Sequence, residues 1–313
     1  MVKNKVVVYK NKGKFIKSCP GTPNHVCCGY MIIDFAHGCN LGCTYCILNY
    51  YFKNKPLEVY SNIDDLLLEV ETYLNKRKKL VRFGTGEFTD SLLFDDVHPI
   101  YDKLIPLISN RNDAILELKT KTINIQRLLK IKERNNIIIS WSLNSDYIAK
   151  NEEIYAPSIL ERIDAAYKVH EAGYRLSFHF DPIIYHDKWK EGYKRTIDVL
   201  FKKINPDRVV YISMGTLRFM PFIKDIIRSQ SKTLSYGEFI RGIDGKYRYF
   251  RPLRTRVYRK IKEFLLNYVD EDKIYLCMES KDVWFDVFGI KEMSTRKLVQ
   301  RLDNSCRRHF DLI

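Results

Sequence analysis

Residues 37–46 read H-G-C-N-L-G-C-T-Y-C, in which three cysteines are spaced as C-x3-C-x2-C. They are Cys39, Cys43 and Cys46. Three thiolates this close in sequence can wrap one face of a [4Fe–4S] cluster while one iron keeps no protein ligand. Gly38 and Gly42 allow the tight backbone path that this wrapping requires. The stretch therefore predicts an iron–sulfur site whose open iron binds a substrate or cosubstrate.

A zinc site is the alternative interpretation of the same cysteines. Structural zinc takes four ligands, usually from paired C-x2-C motifs, and no second pair is present. Cys27, Cys28 or His37 could complete such a set. The chain has eight cysteines, six of them within residues 19–46. In a large cytosolic chain, such crowding favours metal binding over disulfides.

Strand-like and helix-like segments alternate on either side of this stretch. The apolar, β-branched runs that predict strands are Tyr30–Phe35, Leu80–Phe83, Ala114–Leu118, Ile137–Trp141, Tyr174–Phe180 and Arg208–Ser213. The segments that predict helices are Asn62–Lys76, Pro99–Ser109, Asn124–Glu133, Pro157–Ala172 and Trp189–Lys203. This alternation predicts an α/β fold, a partial (β/α)6 TIM-type barrel whose strand-end loops carry the chemistry.

The pattern changes after Ser213. Residues 235–256 are rich in Gly, Arg and Tyr, and the Asp244–Gly245 pair between aromatic runs predicts a β-hairpin. A basic helix is expected near Arg256–Tyr268. We therefore expect residues 1–213 to form the barrel with an N-terminal segment. Residues 214–313 are expected to form a C-terminal extension with a hairpin and helices.

Length and charge narrow the class of protein. A chain of 313 residues with 45% hydrophobic content can bury a large core. Its net charge of +15 favours a polyanion such as nucleic acid, although abundant Lys, Asn and Ile can also reflect genome composition. Neither a secretory h-region nor an apolar run long enough to span a bilayer is visible. We expect a cytoplasmic protein with no membrane partner.

The cysteine stretch resembles that of the radical S-adenosylmethionine superfamily. The resemblance implies that the open iron binds S-adenosylmethionine, whose reductive cleavage gives a 5′-deoxyadenosyl radical. A hydrophobic residue usually precedes the third cysteine there, and Tyr45 fits. The superfamily also has a Gly-Gly-Glu-like turn after the second strand, which contacts the cosubstrate's amino group. Gly84, Gly86 and Glu87 look like that turn, although a simple strand-to-helix turn gives similar residues.

Within the superfamily the chain resembles the spore photoproduct lyase family, from about Cys19 to Gly289. The resemblance rests on the order of motifs such as C-P-G-T, C-C-G-Y, G-E-F-T-D-S, T-K, W-S-L-N-S, I-S-M-G-T-L-R-F and D-G-K-Y-R-Y. It implies a radical lyase that repairs thymine lesions in DNA. It also implies an external electron donor such as flavodoxin or ferredoxin.

Further cosubstrate residues are carried over from the family by motif. Lys121 of the T-K pair takes the place of a lysine that meets the carboxylate of S-adenosylmethionine. A solvated lysine is the alternative. Ser142 is the candidate for the serine of the S-x-N-S motif, with Ser145 as its near rival, although either hydroxyl could cap a turn.

One departure concerns the hydrogen donor. Characterised lyases have a donor cysteine just before the T-S-D of their second-strand motif, and this chain has Glu87 at or near that position. A tyrosine that follows the third cluster cysteine in those lyases is Ile47 here. Cys277 is the candidate substitute donor, with a buried structural thiol as the alternative.

The hairpin segment supplies the candidate DNA contacts. Basic residues neutralise phosphates and aromatic residues stack on extruded bases. The candidates are Arg241, Lys246, Tyr247, Arg248, Tyr249 and Arg251. A solvated hairpin whose tyrosines pack on the barrel is the alternative. His179 and Asp181 end the fifth strand, where they either line the substrate or satisfy loop groups.

Three functions thus remain open. The first is a spore photoproduct lyase-like enzyme that acts on thymine lesions. The second is a paralogue with another substrate, and the third is a zinc-dependent nucleic-acid-binding protein without catalysis.

Overall fold

The structure, a computed structural model, describes residues 5–22, 24–231, 233–234 and 238–313. Residues 235–237, which begin the predicted Gly-, Arg- and Tyr-rich segment, lie outside the described residues. The strands are β1 (Val6–Tyr9), β2 (Ile16–Ser18), β3 (Met31–Ile33), β4 (Ala36–His37), β5 (Leu57–Tyr60), β6 (Val81–Gly84), β7 (Ala114–Thr120), β8 (Ile137–Ser142), β9 (Arg175–Ile183), β10 (Val209–Thr216), β11 (Arg218–Phe219), β12 (Ile240–Arg241), β13 (Tyr247–Arg248) and β14 (Ile274–Leu276).

The helices follow the strands in alternation. They are α1 (Leu48–Tyr51), α2 (Ile63–Asn75), α3 (Tyr101–Ser109), α4 (Asp146–Glu152), α5 (Ile159–Glu171), α6 (Trp189–Lys203), α7 (Lys224–Gln230), α8 (Arg251–Leu265), α9 (Lys281–Phe288) and α10 (Thr295–Arg307). The longer ones bury an apolar stripe at helical spacing. In α2 this stripe is Leu66, Val70 and Leu74.

A curled eight-stranded sheet forms the centre of the molecule, in the order β14-β10-β9-β8-β7-β6-β3-β2. All neighbours from β3 to β14 pair in parallel, whereas β2 is antiparallel to β3. Strands β6, β8 and β10 are buried along their whole length, as expected for a parallel sheet covered on both faces. The predicted partial barrel is therefore confirmed as an open half-barrel.

All six predicted strands are present as β3, β6, β7, β8, β9 and β10. The predicted helix over Asn124–Glu133 is wrong, because only a 3₁₀ turn forms there, at Leu128–Lys130. The Tyr174 hydroxyl donates to the Leu128 carbonyl at 2.9 Å, and Arg134 Nε donates to the Ile131 carbonyl at 3.0 Å. Side chains thus occupy carbonyls that a continued helix would pair with its own backbone N–H groups.

The C-terminal extension joins the barrel through the sheet itself, since β14 pairs in parallel with β10. The predicted hairpin is present: β12 and β13 are antiparallel, and Gly245 has a φ of 78°. Strand β13 also pairs with β11, which places it in the centre of a three-stranded sheet. The predicted basic helix is α8, which begins earlier than expected. The division between residues 213 and 214 stays a prediction.

Within the described part of the chain, no helix combines the length and the apolar character needed to cross a membrane.

Candidate active site

A cavity of about 530 Å³ opens at the carboxyl ends of the parallel strands. The loop after β4, the turn after β6 and the ends of β7, β8 and β9 all reach it. The predicted site residues that line it are Cys39, Cys43, Tyr45, Cys46, Gly86, Glu87, Lys121, Ser142 and Lys246. The barrel topology therefore brings together residues more than 200 positions apart in sequence.

The cysteine loop is held by backbone hydrogen bonds to two neighbouring elements. Gly38 N donates to the Phe88 carbonyl at 2.9 Å, and the Thr89 hydroxyl donates to the Gly38 carbonyl at 2.7 Å. On the other side, Thr44 N donates to the Glu152 carbonyl at 2.9 Å. The loop is thereby fixed between the turn after β6 and the end of α4.

Two glycines give the loop its path, as predicted. Gly38 and Gly42 have φ values of 89° and 65°, in the left-handed region that side chains disfavour. A Cβ at position 42 would also lie 2.7 Å from Cδ2 of Tyr155. The backbone at this point can therefore be formed only by glycine without a shift of its neighbours.

A buried ion pair supports the loop from below. Arg162 Nη2 lies 2.5 Å from Glu153 Oε2, and both side chains are fully buried. The Tyr45 hydroxyl donates to Glu153 Oε1 at 2.5 Å, and Arg162 Nη1 donates to the Ser142 carbonyl at 3.0 Å. The network connects Tyr45, which precedes the third cysteine, to Ser142 at the end of β8. No sequence spacing signalled Glu153 or Arg162 as site residues.

The turn after β6 is packed too closely for larger residues. Gly86 lies against the Lys119 carbonyl, because a Cβ there would be 3.1 Å from that oxygen. Glu87 lines the cavity and accepts a 2.7 Å hydrogen bond from the Tyr30 hydroxyl. Gly84 does not line this cavity, since it ends β6 as a buried residue packed against the Tyr30 ring. Gly84 therefore shapes the turn without reaching the cavity wall.

Asp90 connects the G-E-F-T-D motif after β6 to the T-K pair at the end of β7 through hydrogen bonds. It is buried, accepts from the Thr120 hydroxyl at 2.7 Å and accepts from Lys121 N at 2.7 Å. Burial raises the pKa of Asp90, while these hydrogen bonds and the Lys121 cation oppose the rise. The last residue of the G-E-F-T-D motif thus positions the backbone of Lys121.

Burial is also the main influence on the three cluster-motif thiols. It raises the pKa of Cys43 to about 12 and those of Cys39 and Cys46 above the usual range. The Lys121 cation opposes this rise at Cys43 and Cys46. Lys121 therefore lies close enough to interact with charge on two of the three thiols.

The two candidate serines differ in their surroundings. Ser142 ends β8 and lines the cavity. Ser145 instead caps α4: its hydroxyl accepts from Ile148 N at 3.4 Å and lies 2.8 Å from His186 Nε2. Because Ser145 is fully buried in these contacts and away from the cavity, the expectation that it contacts the cosubstrate is corrected in favour of Ser142.

Cys277 lines a second cavity of about 250 Å³. The two cavities share the wall residues Gly86, Glu87, Lys119, Asp181, Arg218 and Met278. Arg218 donates to both carboxylate oxygens of Asp181 at 3.1 Å each, and its Nη2 lies 3.6 Å from Cys277 Sγ. Asp181 is thus part of the wall between the cavities. His179 is held by Glu117 and Ser213, at 2.6 Å each.

Three more thiols, those of Cys19, Cys27 and Cys28, line the second cavity. Hydrogen bonds from Cys19 and then Cys28 lower the pKa of Cys27, whereas the bond to Cys27 raises the pKa of Cys19. The sequence could not assign these residues, because their proximity to Cys277 depends on the extension folding back over the barrel.

The hairpin residues are placed unlike the sequence-based expectation. Lys246 lines the main cavity, where its Nζ donates to the Thr22 hydroxyl at 2.8 Å. Arg248 is buried and paired with Asp244, and Tyr249 is buried with its hydroxyl accepting from Tyr185 N at 3.1 Å. The expected DNA contacts through Arg248 and Tyr249 are therefore wrong, because both side chains are used within the protein.

The other hairpin candidates lie nearer the surface. Arg241 is exposed on β12, and Tyr247 is half-buried with Lys224 Nζ 4.9 Å from its ring centre. Arg251 is exposed but paired with Asp286 and Asp282, at 2.7 and 3.5 Å. Arg241 is thus the member of the set that is best placed for a phosphate outside the cavity.

A parallel half-barrel with three cysteines after its first strand, β3, and a G-T-G-E turn at the end of its second, β6, is the arrangement typical of the radical S-adenosylmethionine superfamily. The family model described as spore photoproduct lyase matches residues 5–271. The chain belongs to the spore photoproduct lyase family.

Individual relatives agree with this assignment. Spore photoproduct lyase of Clostridium acetobutylicum is 24% identical over 280 residues, which are 86% of this chain and 80% of that protein. The Bacillus subtilis lyase is 31% identical over 175 residues, about half of each protein. A solved lyase variant with bound AdoMet and dinucleoside spore photoproduct has a TM-score of 0.74 and 24% identity, covering 87% of this chain and 81% of that one. The structural likeness shows a shared fold.

Proposed function

We propose that this protein is a radical S-adenosylmethionine lyase that acts on thymine lesions in DNA, with a [4Fe–4S] cluster at Cys39, Cys43 and Cys46. One observation carries the proposal: the three thiols line the same cavity as Glu87, Lys121 and Ser142. The cavity's volume of about 530 Å³ is in the range of cofactor and ligand sites.

The chemistry of the donor set fits a cluster better than a zinc ion. Structural zinc takes four protein ligands, whereas the loop motif supplies three thiols, each of which would bind a different iron of a [4Fe–4S] cluster. The fourth iron would then keep an open position for the cosubstrate. This favours the enzyme over the zinc-binding alternative.

The cosubstrate's methionine end has matching partners on the cavity wall. The Lys121 cation suits its carboxylate, and the Glu87 carboxylate suits its amino group. Ser142 adds a hydroxyl at the end of β8. When bound, the cluster and S-adenosylmethionine supply an electron and a 5′-deoxyadenosyl radical. The protein's own part is to orient both groups and to exclude water from them.

The family and the charge on the cavity wall support DNA as the substrate class. A solved relative holds a dinucleoside spore photoproduct, as its description states. Here Lys246 adds a cation to the cavity's extension side, whereas Arg218 is paired with Asp181. A lesion extruded from a duplex brings phosphates with it, and Lys246 offers one of them a partner.

Cys277 is the proposed hydrogen donor. It lines the second cavity, which shares a wall with the first. Burial raises the pKa of Cys277 to about 12, although Arg218 opposes the rise, so the group stays a thiol at neutral pH. The S–H form is the one that can give up a hydrogen atom. A Cys277→Ala variant should lose clean product formation, whereas Cys306→Ala, a buried thiol outside both cavities, should not.

The decisive experiment is anaerobic incubation of the reconstituted protein with dinucleotide spore photoproduct, S-adenosylmethionine and reductant. Formation of the repaired thymine dinucleotide supports the proposal. Cleavage of S-adenosylmethionine without repair would instead favour a paralogue with another substrate. That second candidate rests on Glu87, which stands at or near the family's donor cysteine and cannot donate a hydrogen atom as a thiol does.

A further inference from the structure

Three aromatic side chains form an exposed cluster beside the main cavity. Tyr50 and Tyr51 end α1, and Phe222 lies in the 3₁₀ turn Pro221–Ile223. The Phe222 ring centre is 4.5 Å from that of Tyr50 and 6.5 Å from that of Tyr51. Each of the three side chains keeps between 43 and 47% of its surface exposed. We call this cluster the aromatic rim.

The aromatic rim is continuous with the cavity. Tyr51 itself lines the cavity, as do Ile47 and Leu48 of the same segment. Met220 and Ile223, on either side of the Phe222 turn, line it too. Because α1 begins directly after the cysteine loop, the rim stands at the entrance to the proposed cluster site.

The three rings stay partly exposed although they pack against one another. The contacts among the three rings cover part of each one, yet nearly half of every side chain still faces solvent. Exposed apolar side chains that lie together are a feature of interaction sites, whereas single scattered ones need no explanation. Aromatic rings offer flat faces on which bases stack, whichever base is present.

The charges around the rim favour nucleic acid as the occupant. Residues 48–55 and 220–227 contain Lys53, Lys55 and Lys224 but a single acidic residue, Asp225. Lys53 and Lys55 are exposed. Inside the entrance, Lys246 adds a further cation to the cavity wall. A strand whose bases lie on the rings would therefore keep its phosphates near cations.

We propose that the aromatic rim is a stacking platform for unpaired nucleobases next to the residue that enters the cavity. The inference deepens the proposed function and rests on it. Tyr51, at the cavity wall, holds the base closest to the entrance, and Tyr50 with Phe222 holds the base outside it. The platform would stabilise the unstacked strand that base extrusion produces.

The test is a double-mutant-type cycle, in which the protein loses an aromatic ring, the oligonucleotide loses its bases, or both. Binding is measured by fluorescence anisotropy with a labelled single-stranded thymidine oligonucleotide, and with the same strand carrying abasic residues at its centre. Tyr51→Ala and Phe222→Ala should each weaken binding to the thymidine strand at least about fivefold, the equivalent of 1 kcal/mol for a stacked base. Neither should weaken binding to the abasic strand, which keeps its phosphates.

Two control variants separate stacking from folding defects. Tyr51→Phe keeps the ring and should bind the thymidine strand like the unaltered protein. Tyr167→Ala removes a tyrosine of similar exposure from α5, outside the cavity, and should bind likewise. Equal losses on both strands, or no loss on either, would overturn the stacking platform. If the unaltered protein binds neither strand at low salt, the proposed action on DNA fails as well.

Discussion

The cysteine loop and the C-terminal hairpin border the same cavity, but they relate differently to their sequences. Every cysteine of the loop motif reaches the cavity wall. Of the hairpin candidates for DNA contact, Lys246 lines the cavity, whereas Arg248 and Tyr249 are buried. Glycines and the end of a strand set the path of the cysteine loop, and this path determines where its side chains lie. A hairpin's exposed face is decided by what packs against it.

The buried ion pair and the thiol-lined cavity extend this comparison. Glu153 and Arg162 hold the loop in place through their ion pair and their hydrogen bonds to Tyr45 and to the Ser142 carbonyl. The four thiols of the second cavity, by contrast, come from the N-terminal segment and the extension. Both walls thus depend on contacts between distant parts of the chain: the cysteine side uses Glu153 and Arg162 of the barrel, and the opposite wall uses the N-terminal segment and the extension.

The largest effect should come from the cysteine loop. Replacing Cys39, Cys43 or Cys46 by Ala removes one iron ligand, so each variant should fail to retain the cluster after anaerobic reconstitution. Iron and sulfide content, with the EPR spectrum of the reduced protein, measure this. Cys306→Ala is the matched control, because that thiol is buried away from the cavity. A single variant that keeps its full cluster would remove that cysteine from the ligand set.

A smaller but still large effect should follow from breaking the buried pair below the loop. Arg162→Met leaves the Glu153 carboxylate buried without its cation, which should lower the free energy of unfolding by about 3–5 kcal/mol. Urea denaturation monitors the change. Lys203→Met breaks an exposed pair with Asp164 and should cost less than about 1 kcal/mol. Similar midpoints for both variants would show that the network does not stabilise the loop.

The next largest effect should come from removing the Lys121 cation, which directly follows β7. Lys121→Ala should weaken S-adenosylmethionine binding by about 1.5–3 kcal/mol, since it removes one charge-assisted contact. Isothermal titration calorimetry of the reconstituted protein provides the measurement. Lys103→Ala, which removes an exposed lysine from α3, is the control. Unchanged affinity in Lys121→Ala would make Lys121 an ordinary surface lysine.

The smallest expected effect is a change in the salt dependence of DNA binding, which should differ between the exposed and the buried arginine of the hairpin. Arg241→Ala should reduce the salt dependence of duplex binding by about 0.9 log unit per log unit of salt, the value for one phosphate neutralised. Arg248→Ala should leave that slope unchanged, because its guanidinium is buried against Asp244. Anisotropy across a salt series measures both. The reverse pattern would contradict the placement of the two side chains.

The sequence predicted the parallel half-barrel because each strand is a short apolar run, and six such runs pair in chain order. It also predicted the cavity residues that directly follow strands, such as Lys121. It failed where tertiary contacts override local pattern. The segment around Leu128 has helical spacing but gives its carbonyls to Tyr174 and Arg134. Glu153, which anchors Tyr45, has no local signature at all.

We propose that the three thiols and the strand-end residues form one binding site. The most direct test is the EPR spectrum of the reduced, reconstituted protein before and after S-adenosylmethionine is added. We expect a cluster signal that changes on addition, and a smaller change at equal cosubstrate concentration in Lys121→Ala. A cluster signal that S-adenosylmethionine leaves unaltered would contradict the claim.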